Sequence, residues 1–416
     1  MELVPGISAH FVQSKKFKTN KITVRFTTPL SLETVTGRML SASMLETANK
    51  AYPTSQAFRR YLASLYGADI STSAYRRGQA HILDLTFTYV RDEFLSKKNV
   101  LTSRILELVE QTLFAPLVLD GAFEPTLFEI EKKQLLASLA TDMDDSFYFA
   151  HKELDSLFFH DERLQLRYSD LRNSISNESP ESSYTCFQDA LKNDRIDFFF
   201  LGDFNEVEIT ESLKSLPFTA RKSDIAIQYH QSYSNVLQEG MVQRNVGQSV
   251  LEMGYHSPVK YGDDQHLPML VMNGLLGEFA HSKLFTNVRE NAGIAYTVSS
   301  QLDLFSGLLR MYAGIDRGNR NQARKMMNHQ LMDLKKGNFT DFEFEQTKEM
   351  IRRSLLIAQD SQHTLVERIY LTALFGKETF DIDRLLEKLE SVDKEAVCKA
   401  ANSLKLQAIY FMEGVE

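Results

Sequence analysis

The sequence predicts an α+β protein made of two tandem copies of one domain, each a mostly antiparallel sheet covered by helices. Three observations carry that prediction. At 416 residues the chain is too long for one ordinary core. Apolar spacing switches between a period of two and a period near 3.6 in the same order in both halves. With Gly67 set against Gly293, an offset of 226, Leu83, Leu85, Phe87 and Tyr89 fall without a gap on Leu309, Met311, Ala313 and Ile315.

In the first half, Lys21 to Thr28 alternates as a strand, with Ile22, Val24 and Phe26 on one face. Thr34 to Lys50 reads as a helix whose stripe is Val35, Leu40, Met44, Leu45 and Ala48, and Ser55 to Tyr66 as a second helix stopped by Gly67. Two strands follow, Ala68 to Tyr75 and Ala80 to Val90. Asp92 to Leu113 and Glu124 to Phe159 have the spacing of long helices laid on that sheet. Ser169 to Ser183, rich in Ser and Asn, reads as a surface loop, Glu181 to Asn193 as a helix, and Ile196 to Gly202 as an apolar strand.

The second half repeats the order. Gln248 to Gly254 reads as a strand, Asp264 to Val288 as one helix, and Asn319 to Lys336 and Asp341 to Gln359 as the matching long helices. Ala408 to Met412, followed by Gly414, matches the strand that ends at Gly202. The predicted division is 1–218, a linker at 219–225, and 226–416.

Composition narrows the class. With 43% hydrophobic and 25% charged residues the chain reads as an ordinary soluble protein. A net charge of −8, with no basic run, argues against nucleic-acid and anionic-membrane partners and suits a neutral or basic peptide. Cys186 and Cys398 are too few and too far apart for a disulfide scaffold or a cysteine-rich zinc site. No apolar run has the length of a signal core near the start or of a membrane span anywhere, so a cytoplasmic location is expected.

Helix spacing does not gather metal ligands. His151 and His160, nine apart, fall on opposite helix faces, His256 and His266 share no face, and His281 stands alone. Phosphate-loop and nucleophile-elbow patterns are absent.

The most informative stretch is Leu284 to Ser300, LFTNVRENAGIAYTVSS. Leu284, Phe285 and Val288 share a helix face, Gly293 stops the helix, and a strand starts at Ile294, so Arg289 and Tyr296 project from one helix-to-strand corner. Together with Leu276-Gly277, the LGDFN turn at 201–205 and the duplicated pattern, this stretch resembles the insulinase, pitrilysin and mitochondrial-processing-peptidase family of zinc peptidases. The resemblance covers nearly the whole chain and implies two tandem homologous LuxS/MPP-like metallohydrolase domains. It further implies that Arg289 and Tyr296 are the family's substrate-binding Arg/Tyr pair, a donor fork and an oxyanion donor.

The family's first domain carries an inverted zinc motif, H-x-x-E-H, and a later Glu ligand. On the matching helix this sequence reads Ser43-Met44-Leu45-Glu46-Thr47, and the third-ligand position falls at Ser138. Glu46 remains, with the expectation that it is a relic or a helix-surface charge. Hydroxyls are poor zinc donors, so no metal is expected here and no peptidase activity from the chain alone. The implied function is that of a non-catalytic, substrate-binding subunit of a heterodimeric zinc metallopeptidase acting on peptides or small proteins. A partner chain of the same family would bring the zinc. The alternatives are a scaffold or peptide-binding protein of the same fold and an independent metalloenzyme with a rearranged site; homodimerisation of the isolated chain stays open.

Overall fold

The computed structural model describes residues 1–96, 100–166, 168–222, 224–376 and 381–415. The first half runs β1 (Glu2–Val4), β2 (Ile7–Gln13), β3 (Thr19–Pro29), α1 (Val35–Thr47), α2 (Ser55–Ser64), β4 (Asp69–Arg77), β5 (Ala80–Val90) and α3 (Val100–Phe114). It continues through a small hairpin, β6 (Val118–Leu119) and β7 (Ala122–Phe123), to α4 (Pro125–Asp144), α5 (Ser146–Phe158), α6 (Glu162–Gln165), α7 (Tyr168–Asn177), α8 (Pro180–Asn193), β8 (Arg195–Gly202) and α9 (Glu206–Lys214). The second half runs β9 (Gln238–Arg244), β10 (Ser249–His256), α10 (His266–Asn273), β11 (Ala295–Asp303), β12 (Leu308–Ile315), α11 (Arg320–Lys336), α12 (Asp341–Ile357), α13 (Gln362–Phe375), α14 (Ile382–Glu390), α15 (Lys394–Ser403) and β13 (Lys405–Gly414).

The duplication is real in three dimensions. One sheet has the order β1-β2-β8-β3-β5-β4, the other β9-β13-β10-β12-β11. In both, a parallel pair (β2 with β8, β9 with β13) is followed by antiparallel neighbours. The fold is therefore the α+β pair of tandem domains that the sequence predicts. Strands β4 and β11 start at Asp69 and Ala295 and end at Arg77 and Asp303, which keeps the offset of the two glycines throughout. Gly67 and Gly293 both have positive φ, +74° and +62°, a conformation open to glycine without steric penalty. The alternating residues Leu83, Leu85, Phe87 and Tyr89, and their counterparts Leu309, Met311, Ala313 and Ile315, are all buried.

Contacts group residues 1–139 with 169–227 as one compact unit, and 140–168 with 228–416 as the other. The sequence division at 218 and 226 had left residues 140–168 in the first domain. They belong to the second unit because Ala150, Leu154 and Phe158 of α5 bury themselves on Val250, Leu308, Ala408, Tyr410 and Met412 of its sheet. Polar groups add to that contact: His151 bonds Glu252, and Arg310 reaches Asp155 at 2.5 Å.

Several elements differ from their sequence reading. The helix expected over Glu124 to Phe159 breaks at Asp145, whose carboxylate accepts from the backbone N–H groups of Phe147 and Tyr148 and starts α5. The expected loop from Ser169 to Ser183 is mostly helix, α7 and the start of α8, the latter opened by a Ser179–Ser182 capping box. The helix expected from Asp92 begins only at Val100, after a 3-10 turn at Asp92–Phe94, and residues 97–99 lie outside the described residues. The expected linker, of which residue 223 is outside the described set, is strapped down: the Arg221 backbone N–H donates to Pro5 O at 2.9 Å and its guanidinium to Leu191 O at 2.6 Å. Among the described residues no helix is long and apolar enough to cross a membrane.

Candidate functional site

Helix α1 holds the pentad Ser43 to Thr47 that the sequence sets against the zinc motif. Leu40, Met44 and Leu45 bury its inner face, leaving Ser43, Glu46 and Thr47 half-buried on the side that a metal site requires. The hydroxyls turn back on their own helix. Ser43 Oγ lies 3.4 Å from Met39 O, and Thr47 Oγ1 donates to Ser43 O at 2.8 Å, the back-bond that Ser and Thr make inside helices.

Thr47 Oγ1 also lies 3.0 Å from Glu131 Oε1 on α4. The Thr47 hydroxyl is the donor to both the Ser43 carbonyl and the Glu131 carboxylate, which share its proton. Burial raises the Glu131 carboxyl above the usual range against the Thr47 hydrogen bond, and the Glu46 charge adds to the rise. Ser138, seven residues on from Glu131, is exposed. The residues present do not fit a zinc ion: the helix hydroxyls are committed, Ser138 faces solvent, and among the described residues no group of three or more His, Cys, Asp or Glu assembles.

Glu46 is not a loose surface charge. Its Oε2 accepts the backbone N–H of Thr72 at 2.8 Å and the Thr72 hydroxyl at 2.7 Å, and Arg59 stands 3.8 Å from the other oxygen. The carboxylate thus ties α1 to β4, the edge strand of its sheet. The acceptor lies on a helix and the donor on a strand 26 residues away, so no local pattern reveals the pair.

The second unit carries the Arg/Tyr corner. The single helix expected over Asp264 to Val288 is broken. Helix α10 passes into a π-helical turn at Gly274–Glu278, Phe279 adopts an extended conformation, and a second π-helical turn runs from Phe285 to Asn291. Such turns widen the helix locally and recur at functional sites. Gly277 permits the first: a Cβ there would stand 2.6 Å from the backbone N of Ser300 on β11. Ser299 Oγ donates to Gly277 O at 2.8 Å, and Asn287 in the second turn donates to Gln330 on α11 at 2.6 Å. Leu284 and Val288 are fully buried beneath the corner.

On this pinned frame Arg289 and Tyr296 are both exposed, and no hydrogen bond joins them. The Arg289 guanidinium lies over the Phe285 ring, 4.8 Å from its centroid. Tyr296, 62% exposed on edge strand β11, donates to Asp316 Oδ1 at 3.3 Å. A donor fork and a phenol hydroxyl therefore face solvent beside an open strand edge. Sequence reasoning missed Asp316 and Gln330, which lie outside the motif it reads, and assigned no role to Glu131, which opens the EKKQLLASL segment that carries Ser138.

The histidines set aside on spacing have other partners. His151 bonds the fully buried Glu252, His256 bonds Gln231 O at 2.9 Å, and His281 bonds Thr347 Oγ1 at 2.8 Å. His160 Nε2 lies 3.4 Å from Gln407 Nε2, and burial lowers His266 to about 4.

Comparison with known proteins agrees with the fold. The family profile described as Peptidase M16 inactive domain matches residues 177–351. A conserved protein from Enterococcus faecalis V583 is 33% identical, with a TM-score of 0.95 over 100% of this chain and 98% of that one. The probable inactive metalloprotease YmfF of Bacillus subtilis is 28% identical over 412 residues, 99% of this chain and 96% of the relative. The peptidase M16 inactive domain from Pseudomonas fluorescens shares the fold, with a TM-score of 0.76 at 15% identity over 99% of this chain and 97% of that one. The chain belongs to the M16 peptidase family, the insulinase, pitrilysin and processing-peptidase group, and its residues 177–351 match that family's inactive domain.

Proposed function

We propose that this chain is the non-catalytic, substrate-binding subunit of a two-chain zinc metallopeptidase that cleaves peptides or small proteins. A partner of the same family brings H-x-x-E-H, the zinc and the general base; this chain brings Arg289 and Tyr296. The observation that carries the reading is an asymmetry within one molecule. The zinc-ligand positions hold committed or exposed hydroxyls, while the Arg/Tyr corner is intact, braced by Gly277, Ser299 and Gln330, and open to solvent.

The guanidinium of Arg289 offers a planar set of donors to substrate carbonyl or carboxylate groups. Tyr296 turns its hydroxyl from Asp316 toward the oxyanion that forms when the scissile carbonyl is attacked in the partner's site. Two free cysteines suit a cytoplasmic setting for the complex.

The test is peptidase turnover by the chain copurified with its H-x-x-E-H partner. Tyr296→Phe is expected to lower turnover by about 10² to 10³ while the two chains stay associated. Unchanged turnover removes the pair from the mechanism and assigns the chain the alternative role, a scaffold of the same fold.

A further inference from the structure

The two sheets differ at one edge. In the first unit the outer side of β2 is covered by β1, paired at Glu2↔Ser8 and Val4↔Ile7. In the second unit β9, the counterpart of β2, is the last strand of its sheet, and among the described residues nothing pairs with its outer side.

The reason is local. The β1–β2 hairpin turns through Pro5-Gly6, where Gly6 has φ of +84°. Strand registers set Leu85, Val24, Phe198 and Ala9 in one row and Met311, Met253, Ile409 and Glu239 in the matching row, so Val236 takes the place of Gly6 and Asn235 that of Pro5. A β-branched valine at that position strongly disfavours positive φ, so the chain runs on without folding back.

Apolar side chains are exposed just before this strand and on it. Tyr233, Val236, Leu237 and Met241 are 39%, 63%, 37% and 49% exposed. Soluble proteins guard open edges with lysine, proline, bulges or a covering segment. Between Gln238 and Arg244, QEGMVQR, there is neither Lys nor Pro.

We propose that the β9 edge is a homodimer interface, closed by antiparallel pairing of β9 with β9 of a second copy across a two-fold axis at Met241. The backbone geometry selects this register. Arg244 O accepts from Val415 N at 3.1 Å, so Arg244, and with it Val242 and Gly240, aims its backbone groups at β13, whereas Glu239, Met241 and Gln243 aim theirs outward. Antiparallel self-pairing joins outward residues with outward residues. Centred on Met241, it sets Met241 against itself, Glu239 against Gln243 and Gln238 against Arg244. Among the strand's own side chains each ionic group meets an amide rather than a like charge, with Glu239 neutralised by Arg324 at 3.0 Å, and two thioethers, each accepting from Arg320 at 3.4 Å, meet at the axis. A two-fold contact must be self-complementary, and this one is. It uses the edge opposite β11, so it neither rests on the peptidase reading nor occupies the Arg289/Tyr296 corner.

The test is the mass of the full chain in solution by sedimentation equilibrium at micromolar concentration. Twice 47.6 kDa is expected. Met241→Lys, which sets two ammonium groups together on the axis, and Met241→Pro, which deletes the outward N–H, are each expected to weaken the dimer by at least about tenfold, a shift of roughly 1.4 kcal/mol. Met241→Cys, whose paired Cα atoms would fall in the range a disulfide spans, is expected to cross-link to itself on mild oxidation, while Met332→Cys on α11 does not. A monomeric wild-type chain overturns the proposal. So does a dimer that Met241→Lys leaves intact, or one in which Met241→Cys fails to cross-link.

Discussion

Glu46 Oε2 accepts both the backbone N–H and the hydroxyl of Thr72, at 2.8 and 2.7 Å. In a motif built for water activation this glutamate would be the base. Here it fastens a helix to a sheet edge. Glu46→Ala strips both Thr72 donors of their acceptor and is expected to lower unfolding free energy by about 1 to 3 kcal/mol. Glu46→Gln keeps one amide oxygen in place and should lose less. Urea denaturation of the three proteins decides the matter, and equal stabilities would show the tie to be inert.

Zinc content follows from the hydroxyl chemistry. The unaltered chain is expected to carry well below one zinc per molecule by elemental analysis. The triple variant Ser43→His, Thr47→His, Ser138→Glu supplies two imidazoles at i and i+4 and a carboxylate, and should raise the content toward one. Stoichiometric zinc in the unaltered chain would refute the misfit argued for α1.

A buried histidine sets a pH dependence. Arg38 Nε donates to His81 Nδ1 at 2.9 Å, which requires an unprotonated ring nitrogen. Burial, and then the Arg38 charge, lower His81 from 6.5 to about 3. As pH falls below 6.5 the unfolded chain takes up a proton that the folded chain refuses until about 3. This contribution to stability is whole above 6.5 and is lost progressively down to about 3, with a slope of about 1.4 kcal/mol per pH unit. Asp194, bound by Arg38 at 2.6 Å, is raised by burial from 3.8 to about 6 and acts in the opposite sense between those values. His81→Gln keeps an acceptor for Arg38 and leaves Asp194 in place, so it should remove about one proton from the slope between about pH 4 and 6. Parallel curves for the two proteins would count against it.

Gly277 separates two kinds of glycine. A Cβ at Gly277 would lie 2.6 Å from Ser300 N and from Leu284 Cδ1, whereas nothing stands within 4 Å of one at Gly318. Gly277→Ala should destabilise the chain by about 1 to 3 kcal/mol through overpacking, and Gly318→Ala should stay within about 0.5 kcal/mol. Thermal unfolding of both reads the difference; a silent Gly277→Ala would mean that the π-helical turn can draw away from β11.

Much of the fold was legible because burial on one sheet face writes itself into alternate residues. Leu83, Leu85, Phe87 and Tyr89 and their counterparts in the second half are such a record, and the offset they define holds for whole strands. The break at Asp145 was not legible, since apolar residues run on through Phe147, Ala150 and Leu154, and a lone Asp reads as an N-cap only once the helix after it is known. The Ser/Asn-rich run after Ser169 misled in the other direction: its serines cap and decorate helices. At the site, the absence of ligands at Ser43, Thr47 and Ser138 could be read directly. What replaced them, the Glu46–Thr72 tie and the Thr47–Glu131 contact, depends on elements brought together from distant sequence. The π-helical turns leave no period to detect in segments of five and seven residues.

The placement of α5 has a consequence for biosynthesis. This helix leaves the ribosome long before the sheet it covers is complete, since β13 ends at Gly414 and α5 at Phe158. Roughly 250 residues separate the two points, about 10 to 50 s of elongation at typical rates. Throughout that interval Ala150, Leu154 and Phe158 have no sheet to bury against, and the nascent chain presents them to whatever binds apolar helices near the exit tunnel. Translation speed across the second half therefore governs how long this helix stays uncovered.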